Sequence, residues 1–127
     1  MEGKAKILVF GFSAQEERRV DEGLAALGVP SALKMRPSQG GATLRSILAG
    51  AAQGTRRQGA EELSAGQPLV LFHNISDAGV QELMRFIRGA SERRPIFAVV
   101  TSTSIDWTLA DLLAHLLEER AALERGA

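Results

Sequence analysis

The chain has 127 residues, a length that supports one domain with a core of its own and no need of disulfides or a structural metal. Fifteen basic residues balance 15 acidic ones, so no net field draws it to nucleic acid or to an acidic membrane surface. It has no cysteine, which removes thiol catalysis, redox switching and thiolate metal sites together.

In chain order, Ala5-Lys6-Ile7-Leu8-Val9-Phe10 ends in an unbroken apolar run, the mark of a strand covered on both faces and the habit of parallel sheets. Because this strand begins almost at the first residue, a secretory signal is not expected, and no apolar run nears the roughly 18 residues of a membrane span. A cytoplasmic protein is the expectation. Gly11-Phe12-Ser13 closes the strand, and Ser13 with Glu16 forms a capping box for a helix that turns Val20, Leu24 and Leu27 to one side. Gly23 lies toward that apolar side, a costly residue there unless something packs closely on it. Gly28 and Pro30 end the helix. Ser31 to Met35, with Leu33 and Met35 one way and Lys34 the other, alternates as a half-exposed edge strand would, and a turn at 37–41 leads to a short helix capped by Thr43 with Leu44, Ile47, Leu48 and Ala51 inward. Residues 54–66 are rich in Gly, Arg and Glu, read as a mobile loop with at most one helical turn at 60–63.

The second half repeats the pattern. Leu69-Val70-Leu71-Phe72 is a second buried strand, followed by His73-Asn74-Ile75-Ser76 and a helix bearing Val80, Leu83, Met84 and Ile87. Ile96-Phe97-Ala98-Val99-Val100 is another, followed by Thr101-Ser102-Thr103-Ser104, Asp106-Trp107-Thr108 and a helix striped by Leu109, Leu112, Leu113, Leu116 and Leu117. Thr108 caps that helix, and Trp107 is placed to fold onto Leu112 as a hydrophobic staple. Ser13 and Ser76 lie 63 positions apart, and the Thr43-Leu44 and Thr108-Leu109 pairs 65 apart. The expectation is a β-α-β-α unit present twice, with repeat halves at about 5–53 and 67–120 of a single α/β domain spanning 1–127. It gives a three-layer fold around a four-stranded parallel sheet in order 2-1-3-4. A βαββαβ sandwich with antiparallel pairing is the alternative, disfavoured because the Thr43 helix supplies a crossover between the second and third strands. In the parallel arrangement the Gly11 and His73 turns face each other at a switch-point crevice, where α/β sheets bind ligands.

The segments Phe10-Gly11-Phe12-Ser13, Leu71-Phe72-His73-Asn74-Ile75-Ser76 and above all Thr101-x-Thr103-x-x-x-Trp107-Thr108-Leu109-x-x-Leu112-Leu113 resemble a bacterial family, domain of unknown function 3783. The resemblance covers about residues 6–119. Its members carry a Gly-Phe-Ser turn in each half and a Thr-Pro-Thr-Asn-x-x-Trp-Thr-Leu segment, from which this chain departs at Ser102, Ser104 and Asn74-Ile75. The resemblance implies the architecture and brings no chemistry with it. The opening strand and Val99-Val100-Thr101-Ser102 also look like parts of a receiver domain. Receivers need carboxylates at the ends of strands 1 and 3 to hold Mg²⁺. Gly11-Phe12 and His73-Asn74 stand there instead, which argues against phosphoryl acceptance.

The candidate ligand-binding residues are therefore Gly11, Phe12, Ser13, His73, Asn74, Ser76, Thr101 and Thr103, with Trp107 as an interaction anchor. No catalytic or metal-ligating set and no cofactor site is predicted. Each candidate has a plainer use. Ser13, Ser76 and Thr108 cap helices, at about 1 kcal/mol each, and the hydroxyl row at 101–104 makes a turn. His73 lacks an orienting carboxylate, and His115 sits solvated on the flank of the last helix. Arg85, Arg88, Arg93 and Arg94 form a solvated basic face, without the exposed aromatics that nucleic-acid binding calls for. No glycine-rich phosphate loop is present. A non-catalytic interaction or regulatory module is the leading expectation, with an unidentified protein partner. Small polar or anionic metabolite binding at the crevice comes second, and an enzyme third. A homodimer is also expected, because the last strand is an edge with no polar residue to guard it.

Overall fold

The computed structural model describes residues 5–29, 32–36, 39, 41–50, 68–91 and 94–126. The expected mobile stretch at 54–66 and the helical turn at 60–63 lie outside these residues. The described chain divides into two compact units, residues 1–35 with 66–100 and residues 36–65 with 101–127. Each unit therefore takes a segment from both halves of the sequence.

The first unit holds a four-stranded sheet in the order β2-β1-β3-β4, with β1 at Lys6–Phe10, β2 at Leu33–Met35, β3 at Leu69–His73 and β4 at Ile96–Val99. Two helices belong to it, α1 at Ala14–Ala26 and α3 at Asp77–Ala90. The apolar runs of β1 and β3 form the centre. Ile7, Leu8, Val9 and Phe10 are buried, as are Leu69, Val70, Leu71 and Phe72, so both faces of these strands are covered as their composition predicts.

The sheet is mixed, not parallel. β1 runs parallel to β2 and β3 parallel to β4, but β1 and β3 are antiparallel, with Lys6 opposite His73, Leu8 opposite Leu71 and Phe10 opposite Leu69. The expected all-parallel sheet is thus overturned, although its strand order stands. Crossover handedness supplies the reason. A right-handed β-α-β connection fixes which face its helix covers once strand direction and the position of the next strand are set. In an all-parallel 2-1-3-4 sheet, α1 and α3 would lie on opposite faces. Here they pack together on one face, around Val20, Leu24, Leu83 and Ile87 over Ile7, Val9, Val70 and Phe72. Only an inverted second β-α-β segment can bring both helices to that side.

Gly23 shows how close the two helices come. A Cβ placed on it would lie 1.8 Å from Cζ of Phe86. The glycine is there for the partner helix, and the 63-residue spacing that relates Ser13 to Ser76 also relates Gly23 to Phe86. Leu27, expected inward on α1, is 47% exposed and forms the C-cap instead.

The second unit contains α2 at Leu44–Leu48, a 3-10 turn at Ser104–Asp106 and α4 at Leu109–Gly126. α2 is one turn long and buries Leu44 and Ile47, while α4 buries Leu109, Leu112 and Leu113. The starts of the two helices are stitched reciprocally. Leu44 N–H donates to the Trp107 carbonyl and Leu109 N–H to the Ala42 carbonyl, each at 3.0 Å, with Thr43 opposite Thr108 as an isolated antiparallel bridge. No helix among the described residues is long and apolar enough to cross a membrane.

Candidate functional site

The antiparallel centre decides what the candidate residues can do together. Gly11-Phe12-Ser13 follows the last residue of β1, and His73-Asn74-Ile75-Ser76 closes β3. Because Phe10 pairs with Leu69 and His73 with Lys6, the two turns leave opposite ends of the sheet. Five strand residues span about 16 Å. The switch-point crevice expected between them does not form, and a ligand site combining Ser13 with Ser76 is lost with it.

Each turn satisfies its own chain. Ser13 Oγ accepts from Glu16 N–H at 3.1 Å while Glu16 Oε1 accepts from Ser13 N–H at 2.8 Å, a complete capping box. Glu16 is 2% exposed, a burial a carboxylate sustains only when hydrogen-bonded. Ser76 Oγ accepts from Gly79 N–H at 3.1 Å. Gly11 and Asn74 hold the same place in their turns, with φ of 82° and 58°. Asparagine is one of the few side chains that tolerates this left-handed region. Both residues thus serve backbone shape. Phe12 is buried in the core beneath α1 and α3, which removes it from any surface site.

His73 retains some chemical interest. Its Nδ1 is buried with no hydrogen-bond partner. Burial, and secondarily the charge of Lys6 across the strand pair, holds its pKa below the ordinary histidine value. A cation is the wrong neighbour for an imidazolium, so the ring is neutral at neutral pH. Among the described residues, no group of three His, Asp or Glu side chains is arranged to hold a metal ion.

In the second unit, Thr101 and Ser104 cap one another. Thr101 N–H donates to Ser104 Oγ and Ser104 N–H to Thr101 Oγ1, both at 3.0 Å. Thr103 is exposed and makes no side-chain cap bond. Thr108 Oγ1 accepts from Asp111 N–H at 3.1 Å, and Thr43 Oγ1 from Ser46 N–H at 3.1 Å, as their spacing predicts. The Trp107 ring meets His115 edge-on, with centroids 5.3 Å apart. His115 is exposed as expected and is also 3.0 Å from Glu119.

Sequence reasoning missed the partner of Asp106. Arg45 grips it with two nitrogens, Nε to Oδ1 at 2.8 Å and Nη2 to Oδ2 at 3.2 Å. The paired hydrogen bonds hold the Asp106 pKa down and the Arg45 pKa up. Sixty-one residues separate the two, so no local pattern could have shown the contact. The negative charge that Asp106 brings to this turn is thus matched by Arg45.

Residues 68–123 match the family described as Domain of unknown function (DUF3783). Over that stretch the chain is similar to DUF3783. The match runs from the start of β3 into α4, and so takes in the Thr101-to-Leu113 segment that carries the resemblance most strongly. No curated protein and no solved structure matches the chain. The DUF3783 segment includes all of β4, whose place at the end of the sheet leaves one side without a strand among the described residues.

Proposed function

We propose that this chain is a non-catalytic interaction module that takes a partner by strand addition along the outer edge of β4. The observation that carries the reading is the apolar edge itself. Ile96, Phe97 and Ala98 are only partly buried, and Val99 is 51% exposed, with no charge or hydroxyl along the strand. An edge of this kind is what proteins ordinarily blunt with a charge, a proline or a bulge unless it is used. The opposite edge, β2, carries Lys34, which is tied to Asp21.

Further support comes from the hydroxyls and carboxylates, since Ser13, Glu16, Thr43, Ser76, Thr101, Ser104 and Thr108 all close local hydrogen bonds. We read the two halves as a duplicated β-α-β-α unit. In support, the same spacing relates the left-handed pair Gly11 and Asn74, the caps Ser13 and Ser76, and the contact pair Gly23 and Phe86. The compartment assumed is the cytoplasm.

A photo-crosslinking side chain placed at position 99 in cells tests the edge, with position 27, which is similarly exposed at 47%, as the comparison. Discrete adducts from position 99 and none from position 27 are expected. Absence of adducts from position 99 ends the edge reading.

A further inference from the structure

We infer that the occupant of the β4 edge is β4 of a second copy, paired antiparallel about a two-fold axis at Ala98, so that two sheets join into one of eight strands. The inference rests on the edge reading above and names its partner.

The hydrogen-bond parity of β4 sets the register. Ile96 N–H donates to the Pro68 carbonyl at 2.9 Å and Val100 N–H to the Phe72 carbonyl at 2.8 Å, both toward β3. Strand backbone alternates with a period of two, so Ala98 also faces β3, while the N–H and C=O of Phe97 and Val99 point outward. An antiparallel partner that satisfies these groups must set Phe97 opposite Val99 of the other copy, twice. The two pairs exchange four hydrogen bonds, and their symmetry puts Ala98 against Ala98 between them.

The side chains favour this self-pairing over pairing with an arbitrary strand. Ala98 faces its own copy in a non-hydrogen-bonded pair, where Cα atoms approach to about 4.5 Å and a small side chain fits best. Phe97 beside Val99 is an aromatic–β-branched cross-strand pair, a favourable combination. The Phe97 ring already stacks at 6.0 Å on Phe72, with the Arg88 guanidinium 5.4 Å from its centroid. The half-exposed Val99 of the other copy would therefore arrive beside a ring held in place. No charged side chain stands on β4 to repel its own copy.

The complete absence of cysteine makes the register directly testable. In this register Ala98→Cys places two thiols within disulfide reach, whereas Val99→Cys leaves Cα atoms about 8 Å apart, beyond the roughly 7 Å limit. Light scattering of the purified chain at 100 μM is expected to give about 27 kDa, twice 13.6 kDa. Ala98→Cys is expected to form a covalent dimer under mild oxidation at least tenfold faster than Val99→Cys. Val99→Pro, which removes an outward N–H and leaves the bonds to β3 alone, is expected to be monomeric with an unchanged circular dichroism spectrum. If Val99→Pro unfolds, the cysteine pair still decides. A monomer at 100 μM, or equal crosslinking at 98 and 99, overturns the self-pairing. Should position 99 still give adducts in cells whose mass is not twice that of the chain, the edge reading stands and only the choice of partner fails. Should neither experiment give a product, both fall.

Discussion

At Gly23 two opposed effects meet, and their magnitudes decide. Replacing a helical glycine by alanine ordinarily gains about 1 kcal/mol. Here the new methyl would lie 1.8 Å from Phe86 Cζ and 2.3 Å from Cε1, so the ring must swing off α1 and give up its packing. Overpacking of this kind costs about 1–3 kcal/mol. Gly23→Ala is expected to lower the urea midpoint, and Gly23→Ala with Phe86→Leu to recover part of the loss. A Gly23→Ala protein more stable than wild type would mean the two helices are further apart than described. His73 supplies the pH dependence. Its folded pKa is lowered, chiefly by burial, so the unfolded chain binds the proton more readily. Stability is therefore full above the unfolded value of about 6.5 and falls as pH drops below it toward the folded value. Thermal melts between pH 7.5 and 5.5 should show a declining Tm, and His73→Gln should flatten part of that slope. An unchanged slope would place the proton uptake on another group.

At the scale of elements, much was legible in the residues and one essential thing was not. The capping box at Ser13, the caps at Thr43, Ser76 and Thr108 and the buried strands β1 and β3 follow from local pattern, because capping and burial act over a few residues. The strand order rests on the repeat, and β4, which reads as buried, is only partly so. Strand direction does not follow from local pattern. The apolar runs of β1 and β3 report that both faces are covered, and that is equally true of parallel and antiparallel neighbours. The one hint was Gly23, whose missing side chain made room for α3 on the face that α1 already occupies. The expectation of a parallel sheet and its crevice rests instead on the repeat and its two helical crossovers, which say nothing of the direction in which the second β-α-β segment runs. The same geometry yields a quantitative expectation. Ser13→Ala and Ser76→Ala should each cost about 1 kcal/mol. With the two caps at opposite ends of the sheet, the double variant should be additive within about 0.5 kcal/mol. Marked coupling in chemical denaturation would argue that the turns share a site after all.

For the whole molecule, the division into units cuts across the halves of the sequence. The first unit needs residues on both sides of the segment 51–67, since its central pairing joins Lys6–Phe10 to Leu69–His73. A chain cut at residue 60 should leave two fragments without stable structure, because each loses the partner of a central strand and exposes Leu8 or Leu71, both fully buried in the intact chain. Mixed at equal concentration, the fragments should regain the helical circular dichroism signal. Independent folding of either half would show that the β1–β3 ladder is less central than its burial implies.

That ladder also bears on how fast the chain finds its fold. Leu8 and Leu71 are neighbours in space yet 63 positions apart, about half the length of the chain. No hairpin can form the centre of this sheet early. Its first native contacts must close a long loop, whose entropy is lost before any strand pairing returns stability. The local helices, α1 and α3 among them, can flicker into place within microseconds. They have nothing to pack on until β1 finds β3. The slow step on the way to the native state is thus the meeting of two five-residue strands half a chain apart.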